Sequence, residues 1–273
     1  GPVDRGARRR EGHGTGTRGA GVRVLLLPHR FAPLGVGGVE RWAWTLAEAL
    51  VDLGDEVTVL TRDDRRDRPL PAFSVVEGPP AGMPLAAAPR GVDVRWITHH
   101  HGDARTTSEA WNDHRFDRPL EAVLDAVKPD VVHIAHVDGW GVAPFRAGAR
   151  RRLIVGSTLH DYKAVCARGQ LLPEAGPACD GVWEERCVRC VGDQLGRGPV
   201  RALLGRIAPP AAHQALRQSR RPLEERRDPG EAVRRRWRSR QRALLGALRG
   251  CDVVAAPSAF VAAAHRAAGL DRP

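Results

Sequence analysis

The sequence predicts an α/β domain with a Rossmann-like parallel sheet and helices on both faces. Three observations carry that prediction. Val22–Leu27 is a short, almost wholly apolar run, as a strand buried on both faces requires. A glycine-rich loop, an amphipathic stretch from Val39 and a second apolar run over Glu56–Leu60 then complete one βαβ unit. Strand and helix patterns keep alternating further along the chain, which argues for parallel strands joined by helical crossovers.

Strand patterns fall at 22–27, 56–60, 92–97, 130–135, 152–158 and 252–255, and helical patterns at 39–53, 117–127, 231–249 and 258–268. Gly54 sits where a left-handed helix cap is wanted. Residues 62–91 are rich in Asp, Arg and Pro and read as an extended connection. Residues 98–116, with His99, His100 and His101 in a row, read as a solvated polar loop. The dipeptide Asp63-Asp64 reads as surface and receives no role. Residues 160–230 break the alternation and read as an insertion. Right-handed crossovers place the loops that follow each strand along one sheet edge, where ligands bind. Gly37, Gly38, His136 and His160 all follow strands and are expected there.

Of the 273 residues, 42% are hydrophobic, enough for one large core. The formal net charge is +11, carried almost wholly by Arg, because Lys occurs only at 128 and 163. Arg-for-Lys usage beside abundant Ala, Gly and Pro fits a GC-rich bacterial genome, so the charge is weak evidence for nucleic acid, and no reading module accompanies it. Anionic lipid, a polyprenyl phosphate or an acidic sugar would suit the charge equally. No segment is apolar enough to cross a membrane, and residues 1–20 are charged, without the apolar stretch of a secretory signal, and read as disordered. A cytoplasmic protein, peripheral at most to the inner membrane face, is expected.

Gly35, Gly37 and Gly38 precede the first helix, and that arrangement aims the helix N-terminus at whatever lies above the strand ends. Such a site suits a phosphate or diphosphate; the glycines could equally serve only to turn the chain. The loop is not the G-x-G-x-x-G fingerprint, since Pro28 and Pro33 intervene before the helix. An NAD-dependent oxidoreductase is disfavoured by that long loop. It is also disfavoured by Thr61-Arg62, where an acidic residue would hold the ribose.

The order P-x4-P-x3-G-G-x-E after the first strand, then a W/A-rich helix, then G-D-E-V-T-V-L-T, resembles the N-terminal domain of family 4 glycosyltransferases of GT-B architecture. Pro129–His136, Ser157–Tyr162 with its His160-Asp161 pair, and Cys251–Val261 resemble later strands of that domain. The resemblance implies sugar transfer with retention from a nucleotide-sugar donor to a glycan, lipid-linked or small-molecule acceptor, with no metal needed for catalysis. By resemblance, Gly37 and Gly38 approach the donor diphosphate, and His160 contacts the donor sugar. Asp161 orients His160 or caps the following turn, and His136 lines the acceptor side. Glu40 either complements the helix dipole or contacts a sugar hydroxyl. His160 could instead be a satisfied structural histidine, and His133, inside its strand, reads as core. The resemblance places residues 21–273 as the acceptor-side domain. At Pro273 the family chain runs on into a donor-binding domain, so this chain alone is expected to be a fragment with negligible transferase activity. A non-catalytic module that pairs with a separate donor-binding chain, or with an anionic surface, is the alternative.

Cys166, Cys179, Cys187 and Cys190 have the spacing C-x12-C-x7-C-x2-C. The C-x2-C pair can place two thiolates around one tetrahedral ion, and two nearby cysteines would complete four ligands. A structural zinc, an iron–sulfur cluster, and unliganded or disulfide-bonded cysteines remain open. Cys251 reads as a small core residue. The stretch from Arg217 to Arg242 holds 11 Arg against four acidic residues. Val233, Trp237, Leu244 and Leu248 fall near helical spacing within and beyond it. That pattern suits a packed amphipathic helix with a solvated Arg face, or a surface for anionic lipid.

Overall fold

The computed structural model describes residues 21–35, 37–79, 82, 88–103, 106, 108–173, 177–195 and 230–271. The amino-terminal tail and the part of the basic stretch before residue 230 lie outside the described residues. Seven strands form one sheet: β1 (Arg23–Leu27), β2 (Glu56–Asp63), β3 (Val75–Glu77), β4 (Val92–Thr98), β5 (Val131–Ile134), β6 (Ile154–Thr158) and β7 (Val253–Ala255). Their order is β3-β4-β2-β1-β5-β6-β7. Every pairing is parallel except β3 against β4. Helices α1 (Gly38–Asp52), α2 (Asp117–Val127), α3 (Ala143–Arg150), α4 (Glu184–Leu195), α5 (Gly230–Arg249) and α6 (Ala259–Ala267) accompany it.

Alternation along β1 explains the layers. Leu26 points to one face, where it meets Phe31, Ala43, Ala47, Val57, Val59 and Trp96. Leu25 and Leu27 point to the other, into a larger cluster with Leu120, Val123, Leu124, Phe145, Leu244 and Leu248. One face is therefore covered by α1, and the other by α2, α3 and α5. Gly54 has φ of +91° just past the end of α1, as a left-handed cap requires. Lys128 does the same for α2, with φ of +48°.

The expected strands and helices are all present, with several corrections. β3 is a short edge strand inside the expected connection, and α3 and α4 were not expected. β2 continues to Asp63, which is buried, and its carboxylate accepts from Arg65 Nε at 3.0 Å and Nη2 at 2.9 Å. An acidic residue therefore does end the second strand, but Arg65 already occupies it. Asp64 accepts from Arg30 Nη2 at 2.5 Å and is not a bare surface group. His99 is buried rather than solvated, because β4 carries it under the sheet edge.

The Arg face of α5 is also less open than expected. Arg234 Nη1 lies 2.5 Å from Glu185, and Arg238 Nη2 lies 2.6 Å from Glu184. These two carboxylates begin α4, so the basic helix packs against an acidic helix start. Arg240 is buried and donates to the carbonyls of Lys163 and Ala164, while Gln241 Nε2 donates to Val165 O at 3.0 Å. Helix α5 thereby grips the segment just after His160. Val233, Leu244, Leu248 and Cys251 are core, as expected, and Trp237 packs against that core. Among the described residues no helix is long and apolar enough to cross a membrane.

Candidate functional site

β1 and β5 are neighbours at the centre of the sheet, and the chain winds outward from them in opposite directions. This is the topological switch point of a doubly wound sheet, where the loops at the carboxyl strand ends part and leave a crevice. Residues from three strand ends and from α1 converge there. His29 follows β1, His136 follows β5 and His160 follows β6. Glu40 and Trp42 come from the first turns of α1.

The rings of His29 and His136 lie 4.3 Å apart. Trp42 meets His160 edge-on at 4.3 Å and His133 at 5.7 Å. Asp161 does not orient His160. Its Oδ2 lies 3.0 Å from His136 Nε2, and its Oδ1 caps the next turn by accepting from Lys163 N at 2.9 Å. His136 Nδ1 accepts the Asp138 backbone N–H at 3.0 Å. The ring proton therefore sits on Nε2 and is donated to Asp161. Both nitrogens of His136 are thus occupied inside the protein, which makes it a buttress between His29 and Asp161. Lys163 Nζ completes the arrangement 3.2 Å from Asp138 Oδ1.

Burial dominates the electrostatics. It lowers the pKa of His29, His133 and His160 to about 4, assisted at His29 and His160 by neighbouring His136. These imidazoles are neutral at pH 7. The approach of His29 Nε2 to Glu40 Oε1, at 3.6 Å, is accordingly not an ion pair. His133 Nε2 meets Thr158 Oγ1 at 3.0 Å, which fits its expected structural role. His29 Nδ1 and His160 Nε2 are buried with no hydrogen-bond partner among the described residues. Such an atom is costly unless something else engages it.

The glycine loop divides in two. A Cβ on Gly37 would stand 2.5 Å from Glu40 Oε2, and one on Gly35 3.0 Å from Glu40 Oε1. These glycines make room for the carboxylate of Glu40, which folds back over the loop and complements the helix dipole. At Gly38 a Cβ would meet nothing within 4 Å, so this residue opens onto free space at the α1 N-terminus. The four cysteines of the insertion line a cavity of their own with Trp237.

His29, Trp42, Arg62, Asp138 and Lys163 were not singled out from the sequence, although His29 and Arg62 carry a readable signal as polar residues at a strand's end. Trp140 is another such residue. It is buried, and its Nε1 donates to Pro28 O at 2.9 Å, which ties the loop bearing His29 to the turn after β5. Trp140→Phe keeps most of the packing and strands that carbonyl. The expected loss of stability is about 1–3 kcal/mol in urea denaturation, and no loss would mean that the carbonyl finds water.

No curated protein matches the chain. A family model, Glycosyltransferase Family 4, matches residues 36–178, more than half of the 273 residues. The matched span holds β2 to β6 and all of Gly37, Gly38, Glu40, His136, His160 and Asp161. The crevice at the strand ends and the helix N-terminus facing it lie in a chain that belongs to Glycosyltransferase Family 4.

Proposed function

We propose that this chain is the acceptor-side domain of a glycosyltransferase that moves a sugar from a nucleotide-sugar donor with retention. Family membership supports sugar transfer in general. The observation that carries the finer reading is the buried, unpartnered Nε2 of His160 at the carboxyl end of β6, beside the switch point. A neutral imidazole there accepts or donates one hydrogen bond to a sugar hydroxyl without adding charge. Trp42 meets the ring edge-on and is itself packed against His133.

The donor diphosphate meets the α1 N-terminus at Gly38, where no side chain intrudes and the helix dipole is positive. Glu40 stands beside that point as a hydrogen-bond acceptor for sugar hydroxyls. Its negative charge opposes the diphosphate, so sugar and diphosphate occupy different sides of the loop. Asp161 holds His136, and His136 backs His29, so the carboxylate acts on the crevice through two rings. The acceptor is a glycan, a lipid-linked sugar or a small molecule. The chemistry assigned to these residues requires no metal. Arg234 and Arg238 are paired with Glu185 and Glu184, which leaves less of α5 for an anionic membrane.

Release of nucleoside diphosphate from a panel of nucleotide sugars tests it, using the complete reading frame that contains this chain and a mixed acceptor pool. Release is expected with one donor class, and the product keeps the anomeric configuration. His160→Ala should lower kcat/KM about tenfold, the equivalent of one hydrogen bond of ~1–1.5 kcal/mol, with little change in the thermal midpoint. Release by the variant at the wild-type rate, or inversion at the anomeric carbon, would overturn the reading.

A further inference from the structure

Four cysteines reach one place from three stretches of chain. Cys166 lies in the turns after β6, Cys179 in the loop that follows, and Cys187 and Cys190 one turn apart on α4. The i, i+3 spacing puts the last two on the same helix face. All four line a single, partly enclosed cavity of about 30 Å³, whose other walls include Leu171, Val191 and Trp237. No disulfide joins any two of them. Three of their backbones are pinned. Cys166 N donates to Tyr162 O at 2.6 Å, Cys179 N to Leu171 O at 2.7 Å, and Cys187 N to Trp183 O at 2.8 Å. The sulfurs can therefore move by side-chain rotation while the backbone stays put.

We propose that Cys166, Cys179, Cys187 and Cys190 bind one zinc ion through four thiolates. Zinc takes four sulfurs tetrahedrally at about 2.3 Å each. Among the described residues no three ligand side chains are already drawn to a common point, so binding closes the cavity by turning the thiols inward. The Cys187–Cys190 pair on one helix face, with Cys166 and Cys179 opposite, offers the four thiolates of a single tetrahedral ion. Charge agrees with it. Zinc with four thiolates carries a net charge of about −2. Arg168 and Arg186 stand in the cavity wall. Buried Arg240 lies close enough to interact electrostatically with Cys166 and Cys187, and its hydrogen bonds go to carbonyls and Gln241. Asp138 and Asp161 also act on this buried cation, and an anionic metal–thiolate centre would add to that counter-charge. The ion would fasten the segment behind His160 and Asp161 to α4, which α5 holds in turn.

The test is elemental analysis of the chain purified without chelator from zinc-supplemented culture. About one zinc per chain is expected, with thiol reactivity towards an aromatic disulfide reagent at least about tenfold slower before chelation than after. Cys187→Ser/Cys190→Ser should lose the metal. Should that variant fail to fold, cobalt(II) exchanged into the unaltered chain should give the intense visible bands of a tetrahedral thiolate site. A folded, metal-free protein with four reactive thiols overturns the proposal. So does an iron–sulfur chromophore, or a disulfide between any two of the four.

Discussion

Gly139→Ala is expected to destabilise the fold by about 3 kcal/mol or more, the sum of a backbone cost and a packing cost. Gly139 has φ of +75°, a left-handed conformation that costs an L-residue roughly 1–2 kcal/mol. Its absent side chain is also occupied space. A Cβ there would stand 2.0 Å from Arg62 Cζ and within 2.4 Å of both terminal nitrogens. The guanidinium cannot retreat to water, because Arg62 is fully buried, with Nη1 3.3 Å from His99 Nδ1. Overpacking of this kind adds about 1–3 kcal/mol. Gly54→Ala separates the two costs. Gly54 also has positive φ, yet a Cβ there meets nothing within 4 Å, so only the conformational cost, about 1 kcal/mol, should appear. Urea denaturation of both variants measures the difference. Equal losses would show that Arg62 yields and that the turn is not packed as described. The turn also carries Asp138, whose N–H fixes the His136 tautomer, so the damage should reach the crevice as well as the core.

The same region marks the limit of what sequence could reveal. Apolar runs betrayed each central strand, and His136 and His160 were readable because each directly follows such a run. His29 follows β1 in the same way, but it opens a long Pro- and Gly-rich loop in which a single His has no pattern of its own. β2 was cut short at Leu60 because Thr61, Arg62 and Asp63 are polar, and hydrophobic pattern ends where a strand enters a functional edge. All three are buried: Asp63 accepts from Arg65 two residues on, and Arg62 meets His99 from beyond β4. Hydrophobic pattern does not announce such pairing. Helix α3 hid for another reason. It has eight residues and a Pro in its first turn, and apart from Phe145 it buries only Ala143, Pro144, Ala147 and Gly148, so small residues rather than a hydrophobic stripe fit it to the sheet. Spacing cannot tell a glycine that admits a phosphate from one that makes room for Glu40, as Gly37 does. The cysteines were legible as a set, whereas their convergence on one cavity needed the third dimension.

Acidification should unfold the protein well before its carboxylates titrate. His29, His133 and His160 have folded pKa values of about 4, against about 6.5 in an unfolded chain. Each is depressed on folding, so the unfolded chain binds the protons first. The stabilisation is fully present above pH 6.5 and is lost as pH falls towards 4. For His133, the most enclosed of the three, the loss is about 3 kcal/mol, and it is smaller for His29 and His160, where water screens more. Opposing charges soften the effect. Asp161 favours protonation of His160, as Asp138 does for His29, while Arg62 and Arg30 disfavour it at His29. Asp63, Asp103 and Asp117 lie below the usual carboxylate range because Arg and backbone N–H groups bind them, although burial pulls the other way. Their contribution disappears only below pH 4, in a separate window. Urea midpoints should therefore be level from pH 8 to 7 and fall steeply from 6.5 to 4.5. In His133→Asn, which cannot titrate, the fall over that interval should be shallower whatever the variant's stability at neutral pH. A level midpoint down to pH 5 would mean that the rings take up protons in the folded state, and the neutral imidazole assigned to His160 as a sugar contact would fall with it.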